Sequence, residues 1–264
     1  MSTQLETSRS EGSTSARIAW LVAWVLSLAL AFILGHQMGS GQQMGTANEP
    51  QSGAGVPPTA TAQPAPAPEQ QAEPTQDPEV MRLLQQLPRR QANDPLAVGS
   101  PDAKVVLTEW SDYRCPYCAR WARETLPALQ HYVDDGTLRI EYRDLAVLGE
   151  ESVTTAVAAR AAAQQGRFWE FYAAVFDDLT QNPQPDHSRT GLLEFARTAG
   201  IPDLARFEAD LDDPALREAV ERDSQEAQQL GITGTPFFVI NTSVINGAQP
   251  TANFIQAIET HANE

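Results

Sequence analysis

The chain holds two cysteines, three positions apart, in Cys115-Pro116-Tyr117-Cys118. With no other thiol present, the pair is either a reversible redox couple or half of a metal site. The flanking residues favour the redox couple. Lys104 to Trp110 is rich in β-branched residues and bounded by Pro101-Asp102, which reads as a buried strand. After Cys118, Ala119, Trp121, Ala122, Leu126, Leu129 and Val133 recur at helical spacing and stop near Gly136. One long helix to about residue 134 is expected. The cysteines therefore fall where a strand hands over to a helix N-terminus. There the unpaired first-turn N–H groups and the helix dipole stabilise a thiolate on Cys115. Pro116 suits the first helical position, because the N–H it lacks would have no intrahelical partner.

On this reading Cys115 is the exposed end of the pair and the nucleophile. Cys118, one turn further in, is the resolving thiol that attacks a mixed disulfide on Cys115. Zinc capture is the alternative for the pair. The four histidines, His36, His131, His187 and His261, are scattered, and no Cys2His2 spacing exists. Neither a metal nor a cofactor is expected.

Ile18 to Leu34 is an unbroken apolar run whose only hydroxyl is Ser27. It stands at the short limit for a spanning helix and exceeds the usual apolar core of a cleaved leader. Arg9 and Arg17 precede it, and no Lys or Arg follows until Arg82. That bias puts residues 1–17 in the cytoplasm, an uncleaved anchor at 18–35, and everything later outside. Trp20 and Trp24 suit interfacial anchoring. Residues 36–76 are built from Gly, Gln, Pro, Ala, Thr and Ser, with Pro-Ala repeats at 64–68. Such a segment cannot bury enough apolar surface to fold, and reads as a disordered linker. At about 40 residues it spans roughly 35 Å as a coil and above 100 Å if polyproline-like. Export places the cysteines in an oxidising compartment, where disulfide chemistry is available. The acidic balance, with 34 Asp and Glu against 18 Lys and Arg and a formal net charge of −16, argues against a nucleic-acid partner.

A folded domain is expected over 77–264. Asp77-Pro78 with Val80, Leu83, Leu84 and Leu87 reads as a capped entry helix. Leu138 to Leu148 gives a second strand by alternation. An insert of helices follows at about 150–230: an Ala-rich stretch from Ser152, an aromatic stripe at Phe168, Trp169, Tyr172, Val175 and Phe176, a third run at Leu192–Ala196, and a helix opened by Asp213-Pro214. The stripe is most simply core. Strands return at Phe237–Asn241 and Ser243–Ile245, with Asn246-Gly247 as turn, and Thr251–His261 closes the chain as a helix.

The segments Glu109-Trp-Ser-Asp-Tyr-Arg-Cys-Pro-Tyr-Cys118, Phe168-Trp-Glu-Phe-Tyr172, Gly231-Ile-Thr-Gly-Thr-Pro-Phe-Phe-Val-Ile-Asn241 and Ile245-Asn-Gly-Ala-Gln-Pro250 together resemble exported DsbA-like thiol–disulfide oxidoreductases. The likeness covers about residues 93–262. Cys-Pro-Tyr-Cys alone is weak, since glutaredoxins use it too. The wide separation of that motif from Gly234-Thr235-Pro236 carries the likeness. It implies an α/β thioredoxin fold with an inserted helical subdomain, a cis Pro236, and a Thr235 backbone that pairs with an extended peptide. It also implies that Glu109, six residues before Cys115, is a buried acid carrying the Cys118 proton. Pro116, Tyr117, Thr235 and Pro236 would meet substrate, and Arg114 flanks the sulfur. Substrates would be exported proteins bearing thiols or disulfides, with reoxidation by a membrane quinone-linked partner and a monomeric chain.

Oxidation of thiols is the favoured direction. A Cys115 thiol near ~4 would favour the reduced form by about 4 kcal/mol at pH 7. That is worth about 90 mV, enough to lift a thioredoxin-like potential near −270 mV into the range of disulfide donors. A reductase or isomerase fed from the cytoplasm, and a non-catalytic peptide-binding module, remain the alternatives.

Overall fold

A computed structural model of the protein describes residues 77–264. The expected anchor at 18–35 and the linker at 36–76 lie outside the described residues. Among the described residues no helix is long and apolar enough to cross a membrane.

The chain enters through α1 (Pro78–Gln86), whose N-cap Asp77 accepts from the Glu79 and Val80 backbone N–H groups. A two-residue strand, β1 (Ala97–Val98), precedes the central strand β2 (Val105–Ser111). Two short helices follow, α2 (Pro116–Glu124) and α3 (Leu126–Asp134), in place of the one long helix expected. The break at Thr125 comes one residue before α3 begins with Leu126-Pro127. Proline is tolerated in a first turn but would remove an interior hydrogen bond. Strand β3 (Leu138–Asp144) leads into five helices, α4 (Glu150–Ala163), α5 (Phe168–Gln181), α6 (Arg189–Thr198), α7 (Leu204–Asp210) and α8 (Pro214–Gln229). The short α7 was not expected. Strands β4 (Phe237–Ile240) and β5 (Ser243–Asn246) and helix α9 (Thr251–Ala262) complete the fold. The β4–β5 connection is at Asn241-Thr242, with Asn241 at φ 50°, so Asn246 belongs to β5 rather than to the turn.

The five strands run in the order β1-β3-β2-β4-β5. Only β2 and β3 are parallel; β1 pairs antiparallel with β3, and β4 antiparallel with both β2 and β5. Every residue of β2 is buried, as befits a strand covered on both faces. Alternation sorts its side chains between two layers. Val105 and Leu107 pack with Trp121, Leu129, Phe254 and Ile258 of α2, α3 and α9. Trp110 faces the other way, with Leu84 and Leu87 at the entry helix and Ala227 of α8. Glu109 shares parity with Val105 and Leu107, so the pleat turns it toward the α2 layer.

Strand β3 is buried at its charged positions as well. Arg139, Glu141 and Arg143 alternate with Ile140 and Tyr142, and all are sealed from solvent. The Glu141 carboxylate accepts from the backbone N–H of Arg89 (2.8 Å) and Arg90 (2.7 Å), from Arg139 Nε (2.8 Å) and from Arg143 Nη2 (3.1 Å). A fully partnered carboxylate is thus the pin that holds the segment after α1 against the sheet. Asp223 of α8 ties in from the other side, accepting from Arg89 Nη2 (2.7 Å) and Arg160 Nη2 (2.5 Å).

Candidate active site

The end of β2 and the start of α2 build the site. Cys115 is the N-cap of α2, extended at φ −83° and ψ 116°; its C=O accepts from Ala119 N at 3.1 Å, and Pro116 opens the helix. Cys118 is fully buried one turn in. The two cysteines are reduced, with no disulfide between them. Cys115 is not exposed as expected: only 4 % of its surface meets solvent. The Thr235 carbonyl lies over its sulfur, accepting from the thiol at 3.4 Å. The Thr235–Pro236 peptide bond is cis, as the likeness implied. Pro236 is buried and Thr235 half-buried, while Pro116 and Tyr117 are exposed. Tyr117, 58 % exposed, lies under the Arg120 guanidinium at 5.5 Å, and Arg120 is itself tied to the Ala248 carbonyl (2.6 Å).

The electrostatics split the pair. The Cys118 thiol donates to the Cys115 sulfur, and this is the largest influence drawing the Cys115 thiol down to about 6. Burial opposes it, while the Thr235 side chain and the backbone N–H groups of Cys118 and Tyr117 add to it. Burial and the neighbouring Cys115 push Cys118 well above the ordinary thiol range. One sulfur is therefore mainly thiolate at pH 7 and the other a neutral thiol.

Glu109 is fully buried on the α2 side of β2. Burial lifts its carboxyl to about 8, opposed in part by the nearby Ser111 and Tyr172 hydroxyls, of which only Tyr172 makes a hydrogen bond. The Tyr172 hydroxyl donates to Oε1 at 3.2 Å and lies 3.4 Å from Oε2. Tyr172 belongs to the aromatic stripe, whose Phe168, Tyr172, Val175 and Phe176 are core as expected, while Trp169 is half-buried against them. Trp169, Tyr172 and Phe176 also line a cavity of about 250 Å³ beside Ala122 and Leu126.

Sequence reasoning missed Asp112. Its buried carboxylate accepts from Arg114 N (2.8 Å) and Ser152 Oγ (2.8 Å) through Oδ1, and from Val147 N (2.9 Å) and Leu148 N (3.1 Å) through Oδ2. It clamps the cysteine loop to the β3–α4 loop, where Val147 and Leu148 are exposed apolar side chains. Arg114 adds to the clamp, donating to the Leu148 carbonyl at 2.6 Å and pairing with Glu151 at 3.1 Å. The signal was available: an Asp whose side chain caps the N–H two residues on is the usual way to shape a strand-to-helix turn.

Comparison with known proteins agrees with this geometry. Residues 91–260 match the family model described as Thioredoxin. A probable disulfide bond formation protein D of Bacillus cereus is 28% identical over 155 residues, covering 57% of this chain and 71% of that one. A thioredoxin-like oxidoreductase from Silicibacter pomeroyi superposes with a TM-score of 0.54 at 30% identity, over 65% of this chain and 98% of its own. BdbD from Bacillus subtilis, in its oxidised form, shares the fold with a TM-score of 0.60 at 23% identity, over 65% of this chain and 94% of its own. The chain belongs to the thioredoxin family and is a DsbA-like protein thiol–disulfide oxidoreductase.

Proposed function

We propose that the protein oxidises thiols of exported proteins by passing on its Cys115–Cys118 disulfide. The observation that carries this reading is the division of labour between the sulfurs: a Cys115 thiol at about 6, and a buried Cys118 held neutral. In the oxidising direction a substrate thiolate attacks Cys115 of the disulfide. A bond forms between the substrate sulfur and Cys115, the Cys115–Cys118 bond breaks, and the electron pair leaves on Cys118. Glu109, buried beneath and protonated at neutral pH, gives that sulfur its proton. A second substrate thiolate then attacks the substrate sulfur of the mixed disulfide. The substrate disulfide forms and Cys115 departs as a thiolate, which its donors stabilise. Substrate would lie along Thr235 as an added strand, against Pro116, Tyr117 and Pro236.

The thiolate sets the scale of the driving force. At about 6 rather than ~4, Cys115 favours the reduced protein by about 1.4 kcal/mol at pH 7, about 30 mV instead of 90. A thioredoxin-like −270 mV then becomes about −240 mV, still above the roughly −300 mV of structural disulfides. Donation to such disulfides is downhill. The apolar run at Ile18–Leu34 and the arginines before it support a membrane-tethered domain facing outward. The DsbA-like resemblance suggests reoxidation by a quinone-linked membrane partner, with the chain working as a monomer.

The test is to mix the oxidised protein with a reduced, unfolded protein and count free thiols. Two substrate thiols should disappear for each equivalent, and none with Cys115→Ser. Unchanged thiols with the oxidised protein, alongside insulin reduction by the reduced one, would favour the reductase reading.

A further inference from the structure

Glu109 has an unusual set of neighbours for a carboxyl asked to move a proton. Its own strand supplies Ser111, β3 supplies Tyr142 directly opposite, and β4 supplies the apolar Phe238. The cysteine loop brings Tyr113, and α5 brings Tyr172, on which Glu109 and Cys118 both act. Asp144 and Arg160 lie beyond the tyrosines and act on Tyr113 and Tyr142 rather than on Glu109. Among the described residues no cation pairs with Glu109. The charge that forms when it loses its proton is therefore met by hydroxyls alone. One of them, the Tyr172 hydroxyl, stands within hydrogen-bond distance of both carboxyl oxygens, at 3.2 and 3.4 Å. Its ring is fixed edge-on to Phe176 (4.7 Å) and Tyr142 (5.7 Å), so the donor has little freedom to turn away.

We infer that Tyr172 is the positioning residue of the proton step, its hydroxyl holding the Glu109 carboxyl in place and stabilising the ionised form that takes up the Cys118 proton. A hydroxyl in that place favours the carboxylate, because a charge-assisted hydrogen bond is stronger than its neutral counterpart. It thereby offsets part of the burial that favours the acid form. When Cys118 resolves a mixed disulfide, its proton passes to the Glu109 carboxylate and its thiolate attacks Cys115. The Cys115–Cys118 bond forms, the bond to the substrate sulfur breaks, and the substrate leaves as a thiolate. With the hydroxyl gone, Glu109 holds its proton more tightly and fewer carboxylates are ready at neutral pH. The inference rests on the proposed role of Glu109 and deepens it.

The experiment loads a cysteine peptide onto Cys115 as a mixed disulfide and follows its release against pH, in the full chain. Tyr172→Phe keeps the ring and its edge contacts while removing only the hydroxyl. The expected result is a release profile whose midpoint moves up by about one pH unit, with release at pH 7 slowed about tenfold. In a Glu109→Gln background, which abolishes the pH midpoint, adding Tyr172→Phe should change nothing further. A merely structural role would lower the melting temperature without moving the midpoint. A normal Tyr172→Phe midpoint, with Glu109→Gln altering the profile, would overturn the role of Tyr172 and leave that of Glu109 standing. A Glu109→Gln profile identical to the parent would overturn both, and an equal Tyr172→Phe effect in both backgrounds would show that the hydroxyl does not act through Glu109.

Discussion

The Cys115 sulfur and the Thr235 carbonyl oxygen stand 3.4 Å apart, so the loop that would pair with a substrate strand also touches the reactive atom. The Thr235 side chain adds a second contact, which favours the Cys115 thiolate. Thr235→Val keeps the shape and removes that hydroxyl. The thiolate absorbance of Cys115, which should titrate near pH 6 in the parent, is expected to move up by about 0.5–1 unit. Far-ultraviolet spectra of the two should coincide.

Asp112 fixes the platform around that sulfur. Asp112→Ala strands the buried Ser152 hydroxyl and the half-buried N–H groups of Val147 and Leu148. At about 1–3 kcal/mol for an unmet buried group, and less where water can reach, the loss of stability should be about 2 kcal/mol. Chemical denaturation measures it. Exchange with a protein substrate should slow more than exchange with a small thiol, because the exposed Val147 and Leu148 lose their fixed position beside the cysteines.

Glu109 gives the fold a pH signature of opposite sign to that of most carboxylates. Its carboxyl sits near 4.5 in the unfolded chain and at about 8 in the folded one. Between those values the folded chain holds a proton that the unfolded chain has released, so stability falls as pH rises through the window. The whole effect is at most about 5 kcal/mol. Glu109→Gln should flatten this decline and be the more stable protein at pH 8.5. Denaturant titrations of both at pH 5 and 8.5 decide it.

Glu141 should behave in the other sense. Burial raises its carboxyl, but the Arg139 guanidinium, the Arg89 and Arg90 backbone N–H groups and the Arg143 charge outweigh burial and hold it below the usual range. Its stabilisation is full above the unfolded value and is lost as pH falls through the folded one. Glu141→Gln leaves two buried guanidinium groups without their anion and should destabilise by about 3–5 kcal/mol at pH 7.

Much of this was legible in the chain because local chemistry and tertiary context agree. The β-branched run before Cys115, the proline after it, Asp213-Pro214 and Gly231 each say the same thing at both levels, and the elements fall there. Four features escaped for a physical reason. The break at Thr125 was overridden by an apolar periodicity that continues across it, although Pro127 carried the signal. The charged positions of β3 are buried because α1 and α8 supply their partners from far along the chain, which a local pattern does not show. Strand parity left the facing of Glu109 open, and only the packing of α2 and α5 over β2 defines it. The burial of Cys115 depends on Thr235, brought over it by the β4 approach.

Equilibration with glutathione is the most direct measurement of the central claim, that the Cys115 thiolate makes this disulfide a donor. The potential should lie near −240 mV, raised about 30 mV above the thioredoxin value by a thiol at about 6. A potential of −270 mV or lower would contradict it, because the thiolate would then contribute nothing to oxidising power.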